Sequence, residues 1–181
     1  MSMDKKHIVW IMGPTSSGKT TIAKQFQCHL RKKNVPVIHF DGDEVRDIFG
    51  DAHGFSDKDR LKVVETLVYL SNKLLSAGLN VIISALTAND DARDYVKKNV
   101  KNLVLVHLKC EIATCVARDP KGLYGEAQAG KISTLVGYNS EYRDPYKPDI
   151  VIDTEFNCLG ECVEQLSRSL ADLGFGMLNF D

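Results

Sequence analysis

A three-layer α/β fold, with a parallel sheet covered by helices on both faces, is predicted by two observations. Short, nearly continuous apolar runs recur along the chain, as in strands buried on both faces. Segments with helical spacing alternate with them, the order of β-α-β units. The chain has 181 residues, 44% of them hydrophobic and 26% charged, which suits one globular domain over 1–181 with a sizeable core.

The run "HIVWIM" is the first strand, and Gly13 follows it. From Lys19 to Lys33, Ile22, Phe26 and Leu30 recur at helical spacing until Asn34 and Pro36 end the segment. "VPVIHF" is the second strand. Ser56 and Asp59 have capping-box spacing and open a long helix, whose apolar face runs through Leu61, Val64, Val68, Ser71 and Leu75 to a stop at Gly78. "NVIISA" is the third strand, and a polar helix from about Asp91 to Val100 follows. "LVLVHLKC" and "DIVID" are the fourth and fifth strands. A last helix places Leu159, Cys162, Leu166, Leu170 and Leu173 on one side before Gly174. Between about 119 and 148 the periodicity fails, and a loop this long inside a compact domain is functional or mobile as a rule. In such sheets ligands bind beyond the carboxyl ends of the strands, where Gly13, Asp41, Thr87 and Glu111 are expected to cluster.

The net charge of −1 argues against a basic face built for nucleic acid. No apolar run approaches the roughly 18 residues of a membrane helix, so no membrane partner is expected. The start "MSMDKKHIVW" lacks the long apolar region of a signal peptide, and a cytoplasmic location follows as the expectation. The five cysteines are then reduced thiols in packing positions, without zinc spacing. The scattered histidines are assigned no chemistry.

Residues 13 to 20, "GPTSSGKT", match G-x-x-x-x-G-K-[ST], the P-loop pattern. Gly13 and Gly18 let the backbone curl so that its amides face phosphate oxygens at a helix N-terminus. Gly13, Ser16, Ser17, Gly18, Lys19, Thr20 and Thr21 are therefore candidate ATP-binding residues. Lys19 would reach the β- and γ-phosphates, and Thr20 would offer its hydroxyl to Mg2+. The fold expectation narrows to a P-loop nucleoside-triphosphate hydrolase or kinase.

Asp41 and Asp43 follow the second strand in "FDGDEVR". In extended chain, residues two apart point the same way, so both carboxylates can face one site. That site adjoins the P-loop if the first two strands are neighbours. One acid can stand beside Mg2+ while the other accepts the proton of an attacking hydroxyl. Arg46, one turn further, could bind an anionic acceptor. The alternative is that Asp41 or Asp43 caps the turn carrying Arg46. The base-reading Asn-Lys-x-Asp of a switch GTPase is absent. A small P-loop domain with these acids and a polar segment after strand four fits a small-molecule kinase whose lid excludes water.

With these pieces in place, the chain resembles the adenylylsulfate (APS) kinases, which phosphorylate the 3′-hydroxyl of adenosine 5′-phosphosulfate with ATP. The likeness runs from about Ile8 to Thr154 through "GPTSSGKTT", "DGDEVR", "GFSDKDR", "RDPKGLYGEAQAG" and "KPDIVIDT". It implies catalytic roles for Lys19, Asp41 and Asp43, with Asp41 and Thr20 at the metal. It implies acceptor contacts for Asp43, Arg46, Phe55, Arg60 and Leu135, and lid roles over ATP for Arg118 and Lys121. Phe55 could instead plug the core beside Gly54. The family is often dimeric, so a homodimer is carried as an expectation.

The departures fall on the acceptor side. "ALTANDDAR" stands where the family has F-I-S-P and an arginine, placing Thr87 at a serine position and Asp90 at the arginine. Thr87 is assigned no covalent role, since in-line transfer is the simpler mechanism. Val63 replaces an asparagine, and Leu135 replaces a phenylalanine that stacks on the adenine. Three functions stay open: transfer to APS, giving PAPS; transfer to another nucleotide 3′-hydroxyl, such as that of cytidine diphosphoramidate; and a nucleotide-binding regulatory module without turnover.

Overall fold

The five apolar runs become strands β1 (Ile8–Met12), β2 (Val37–Asp41), β3 (Asn80–Ser84), β4 (Leu103–Lys109) and β5 (Ile150–Asp153) of one parallel sheet, ordered β2-β3-β1-β4-β5. The computed structural model describes residues 5–50 and 54–175. Every residue of β1 and β3 is buried, because their side chains alternate between two cores. On one face, Val9 and Ile11 pack with Phe26 and Leu30 of α1 (Lys19–Lys32) and Leu166 and Leu170 of α7 (Leu159–Asp172). On the other, Ile8, Trp10 and Met12 meet Val64 and Leu67 of α3 (Asp57–Ser76) and Val96 of α4 (Asp90–Asn99). The expected three layers result.

The long helix starts where its capping spacing places it: the Ser56 hydroxyl accepts the Asp59 N–H at 3.2 Å. Its buried face is Val63, Val64, Leu67, Val68 and Ser71, so Val63 and Leu67 replace the expected Leu61 and Leu75, which are half-buried. In α7 the expected stripe is too long at both ends, for Leu159 is 40% and Leu173 50% exposed.

Two expectations about connection change. β1 and β2 are not neighbours, since β3 lies between them. The segment after β4 is not without structure either. It carries α5 (Ile112–Arg118) and α6 (Leu123–Gln128), whose Cys115, Tyr124 and Ala127 form a third apolar cluster with Cys110 and Leu135. Both helices are shorter than the window in which a 3.6-residue period shows. The start of the chain through residue 4 and the tail from 176 lie outside the described residues. Phe175 is buried and stacks on His7 at 4.6 Å.

Candidate active site

Among the helices of eight residues or more, α1 begins differently from α3 and α4. Ser56 caps α3 and Asn89 caps α4, but Gly18 leads into α1 with no side-chain cap and no acid in the first turn. Its first amides therefore meet an anion without competition. Gly18 sits at φ 94°, a left-handed conformation suited to glycine. Gly13 is required for another reason, since a Cβ there would lie 2.8 Å from the Leu108 carbonyl oxygen of β4. Gly13 and Ser17 are buried beneath the loop, and the Ser17 hydroxyl has no hydrogen-bond partner among the described residues. Thr15, Ser16, Gly18, Lys19, Thr20 and Thr21 line the cavity above. The Lys19 ammonium donates to the Pro14 carbonyl at 2.7 Å. Burial lowers its pKa to about 8, with Asp43 and Asp41 opposing that effect.

Asp41 reaches this loop although β2 is two strands away. Its Oδ2 accepts the hydroxyls of Thr20 at 2.6 Å and Ser84 at 2.7 Å, and Ser84 ends the intervening strand. Its Oδ1 accepts the Asp43 N–H at 2.9 Å and so caps α2 (Gly42–Ile48). The cap and the site-facing acid are thus the same residue. Burial pushes the Asp41 carboxyl up, but the donors from Thr20, Ser84 and the Asp43 amide outweigh it and hold the pKa below the usual aspartate value. Because Ser84 commits its proton to Asp41, His39 Nε2, 2.8 Å from the Ser84 oxygen, acts as the donor there.

Asp43 lies in the first turn of α2 rather than in extended chain. Its Oδ1 is 3.3 Å from Arg46 Nη1, and its Oδ2 accepts Lys121 Nζ at 2.7 Å. Lys121, expected over ATP, thus sits on Asp43 instead. Phe55 is 50% exposed, which overturns the core-plug alternative. The Arg46 guanidinium is 4.8 Å and that of Arg60 5.7 Å from its ring centroid. Arg60 also donates to the Phe55 carbonyl at 2.9 Å and to that of Thr134 at 2.8 Å. These groups, with Val63, Thr87, Leu135 and Arg118, face a cavity of about 450 Å³ continuous with the P-loop. Arg118 donates to the Thr154 carbonyl at 2.6 Å.

One expected member stands elsewhere. Glu111 is exposed at the start of α5. The Asp90 side chain is 74% exposed and lies 3.6 Å from Arg93. The Thr87 hydroxyl accepts the Trp10 indole N–H at 3.0 Å. Sequence reasoning missed Ser84, whose one signal is a polar residue closing an apolar strand. It also missed Tyr124, whose hydroxyl donates to the Thr15 carbonyl at 3.2 Å and ties α6 to the P-loop. Thr20 and Asp41 present hard oxygen donors side by side, a set that fits Mg2+.

The model of the adenylylsulphate kinase family matches residues 5–153. The chain is 32% identical over 170 residues to an adenylyl-sulfate kinase of Oceanobacillus iheyensis, covering 93% of this chain and 85% of that one. The solved structure of APE1195 superposes with a TM-score of 0.84 at 31% identity, covering 95% of this chain and 98% of that one. The APS kinase CysC of Mycobacterium tuberculosis, solved in complex with AMPPNP and APS, gives a TM-score of 0.82 at 26% identity, covering 92% and 98%.

Proposed function

Because the chain belongs to the adenylylsulphate kinase family, we propose that it transfers the γ-phosphoryl group of ATP to the 3′-hydroxyl of APS, giving PAPS and ADP. The observation that carries this reading is a single cavity that joins the P-loop to the Arg46–Phe55–Arg60 stack, with Asp43 between them. The uncapped N-terminus of α1 and Lys19 hold the ATP phosphates. The two guanidiniums take the anionic end of the acceptor, and the exposed ring gives it a face to lie on. Asp43 orients the acceptor hydroxyl and takes its proton as that oxygen bonds to the γ-phosphorus. The bond from the γ-phosphorus to the bridging oxygen breaks, and ADP leaves. Thr20 and Asp41 would hold Mg2+, which when bound neutralises charge on the phosphates.

On this reading 1–181 is a single kinase domain in which the segment of about 119–148 acts as the lid. Lys121 exchanges Asp43 for the bound acceptor, Tyr124 ties the lid to the P-loop, and Arg118, at the start of the lid, is fastened to Thr154 after β5.

A second reading, transfer to another nucleotide such as cytidine diphosphoramidate, is favoured by one observation. Val63 and Leu135 line the cavity with aliphatic surface where the family offers an amide and an aromatic ring. A smaller base needs less stacking surface. ADP release with ATP and a panel of APS and cytidine diphosphate derivatives decides. Turnover with APS is expected. Turnover with a cytidine nucleotide and none with saturating APS selects the second reading, and ATP binding without turnover on any acceptor leaves a regulatory module.

A further inference from the structure

The loop from Ala85 to Asn89 lines the cavity along its whole length, and its conformation is unusual. Thr87 sits at φ 43°, left-handed backbone that a β-branched residue adopts only where its surroundings over-determine it. Two buried groups hold it from opposite sides. The Trp10 indole of β1 donates to its hydroxyl at 3.0 Å, and Arg93 Nε of α4 donates to its carbonyl at 2.9 Å.

Arg93 is 4% exposed, and its fork does not stop at Thr87. Nη1 donates to the Asp144 carbonyl at 3.4 Å, Nη2 donates to the Arg143 carbonyl, and the guanidinium lies 5.5 Å from the Tyr142 ring centroid. A charge so buried is retained at a cost unless it is fully hydrogen-bonded. Besides the Asp90 carboxylate at 3.6 Å, it is directed at backbone carbonyls from two loops more than 50 residues apart in sequence. One loop lines the cavity, and the other lies near the end of the same lid segment that carries Lys121 and Leu135.

We propose that Arg93 is a positioning residue for the acceptor: a buried clamp that fastens the Ala85–Asn89 loop to the 142–144 strap and so sets the acceptor pocket. The inference rests on the reading of that cavity as the acceptor site. Among the described residues Arg93 makes no hydrogen bond or ion pair with the P-loop, so its effect separates the two substrates.

The test is steady-state kinetics on the full chain, with ATP and whichever of APS or the cytidine nucleotide the wild type turns over. Arg93→Lys keeps the charge and the alkyl stem but has no planar fork to span three carbonyls. Trp10→Phe removes the other anchor. Each variant is expected to raise the acceptor KM about fivefold or more, with the ATP KM within about twofold of wild type. An unchanged acceptor KM in folded Arg93→Lys overturns the proposal, as do KM values that rise equally for both substrates. If Arg93→Lys does not fold, Trp10→Phe decides by the same criteria. Arg46→Met separates the two levels of inference. If it leaves the acceptor KM unchanged, the acceptor-site reading fails. If it raises that KM while Arg93→Lys does not, only the clamp fails.

Discussion

Asp41 does three things with two oxygens: it caps α2, accepts Thr20 from the P-loop and accepts Ser84 from β3. Asp43, its neighbour by two, is held by cations instead, Arg46 on one oxygen and Lys121 on the other. The two acids therefore have separate environments, which suits separate work. Asp43→Asn is expected to lower kcat at least about a hundredfold, as for loss of a general base, with the ATP dissociation constant nearly unchanged. Near wild-type kcat in that variant would remove Asp43 from the chemistry. Lys19 supplies a pH test. Burial brings its pKa from 10.5 to about 8, so the free protein loses this charge as pH rises through that value. Phosphate binding favours the charged form, and ATP affinity is expected to fall between about pH 7 and 9.5. Titration of a fluorescent ATP analogue across that range checks it, and a flat profile refutes the assignment.

At the scale of elements, helix starts carry the site. α1 leaves its N-terminus open for an anion, whereas α3 closes its own with Ser56, the neighbour of Phe55. The first turn of α3 also sets Arg60 against the Phe55 ring. Ser56→Ala is expected to cost about 1 kcal/mol, seen as a fall of roughly 2–4 °C in Tm. A rise in acceptor KM without a change in ATP KM should accompany it; an unaltered acceptor KM would mean that the cap does not place Phe55 and Arg60. These starts were legible in the sequence, because a cap is a local pattern of a few residues. α5 and α6 were not, since neither is long enough to display a period, and Gly122 and Gly125 argue for a loop.

Across the whole molecule, the sheet order β2-β3-β1 decides how the acids meet the P-loop. With β3 between them, Asp41 and Thr20 come together over the end of that strand, and Ser84 fills the interval with a hydroxyl. Ser84→Ala removes one donor from Asp41 without adding bulk. The Mg2+ concentration for half-maximal activity is expected to rise about tenfold, the usual effect of losing an outer partner of a metal-side carboxylate. An unchanged Mg2+ requirement would show that Thr20 and the Asp43 amide suffice to orient it.

The alternation of strands and helices, the P-loop and the acid-rich turn after β2 are legible in the order of residues alone. Each of these is written in residues close along the chain, where spacing maps directly onto backbone geometry. The place of β3 between β1 and β2, the contact of Lys121 with Asp43 from 78 residues away and the burial of Arg93 between two loops emerge with the packed fold. Those contacts depend on how strands order and how segments cross over the sheet. Local periodicity carries no information about either, because the same helical or extended spacing is satisfied whichever neighbour the element finds.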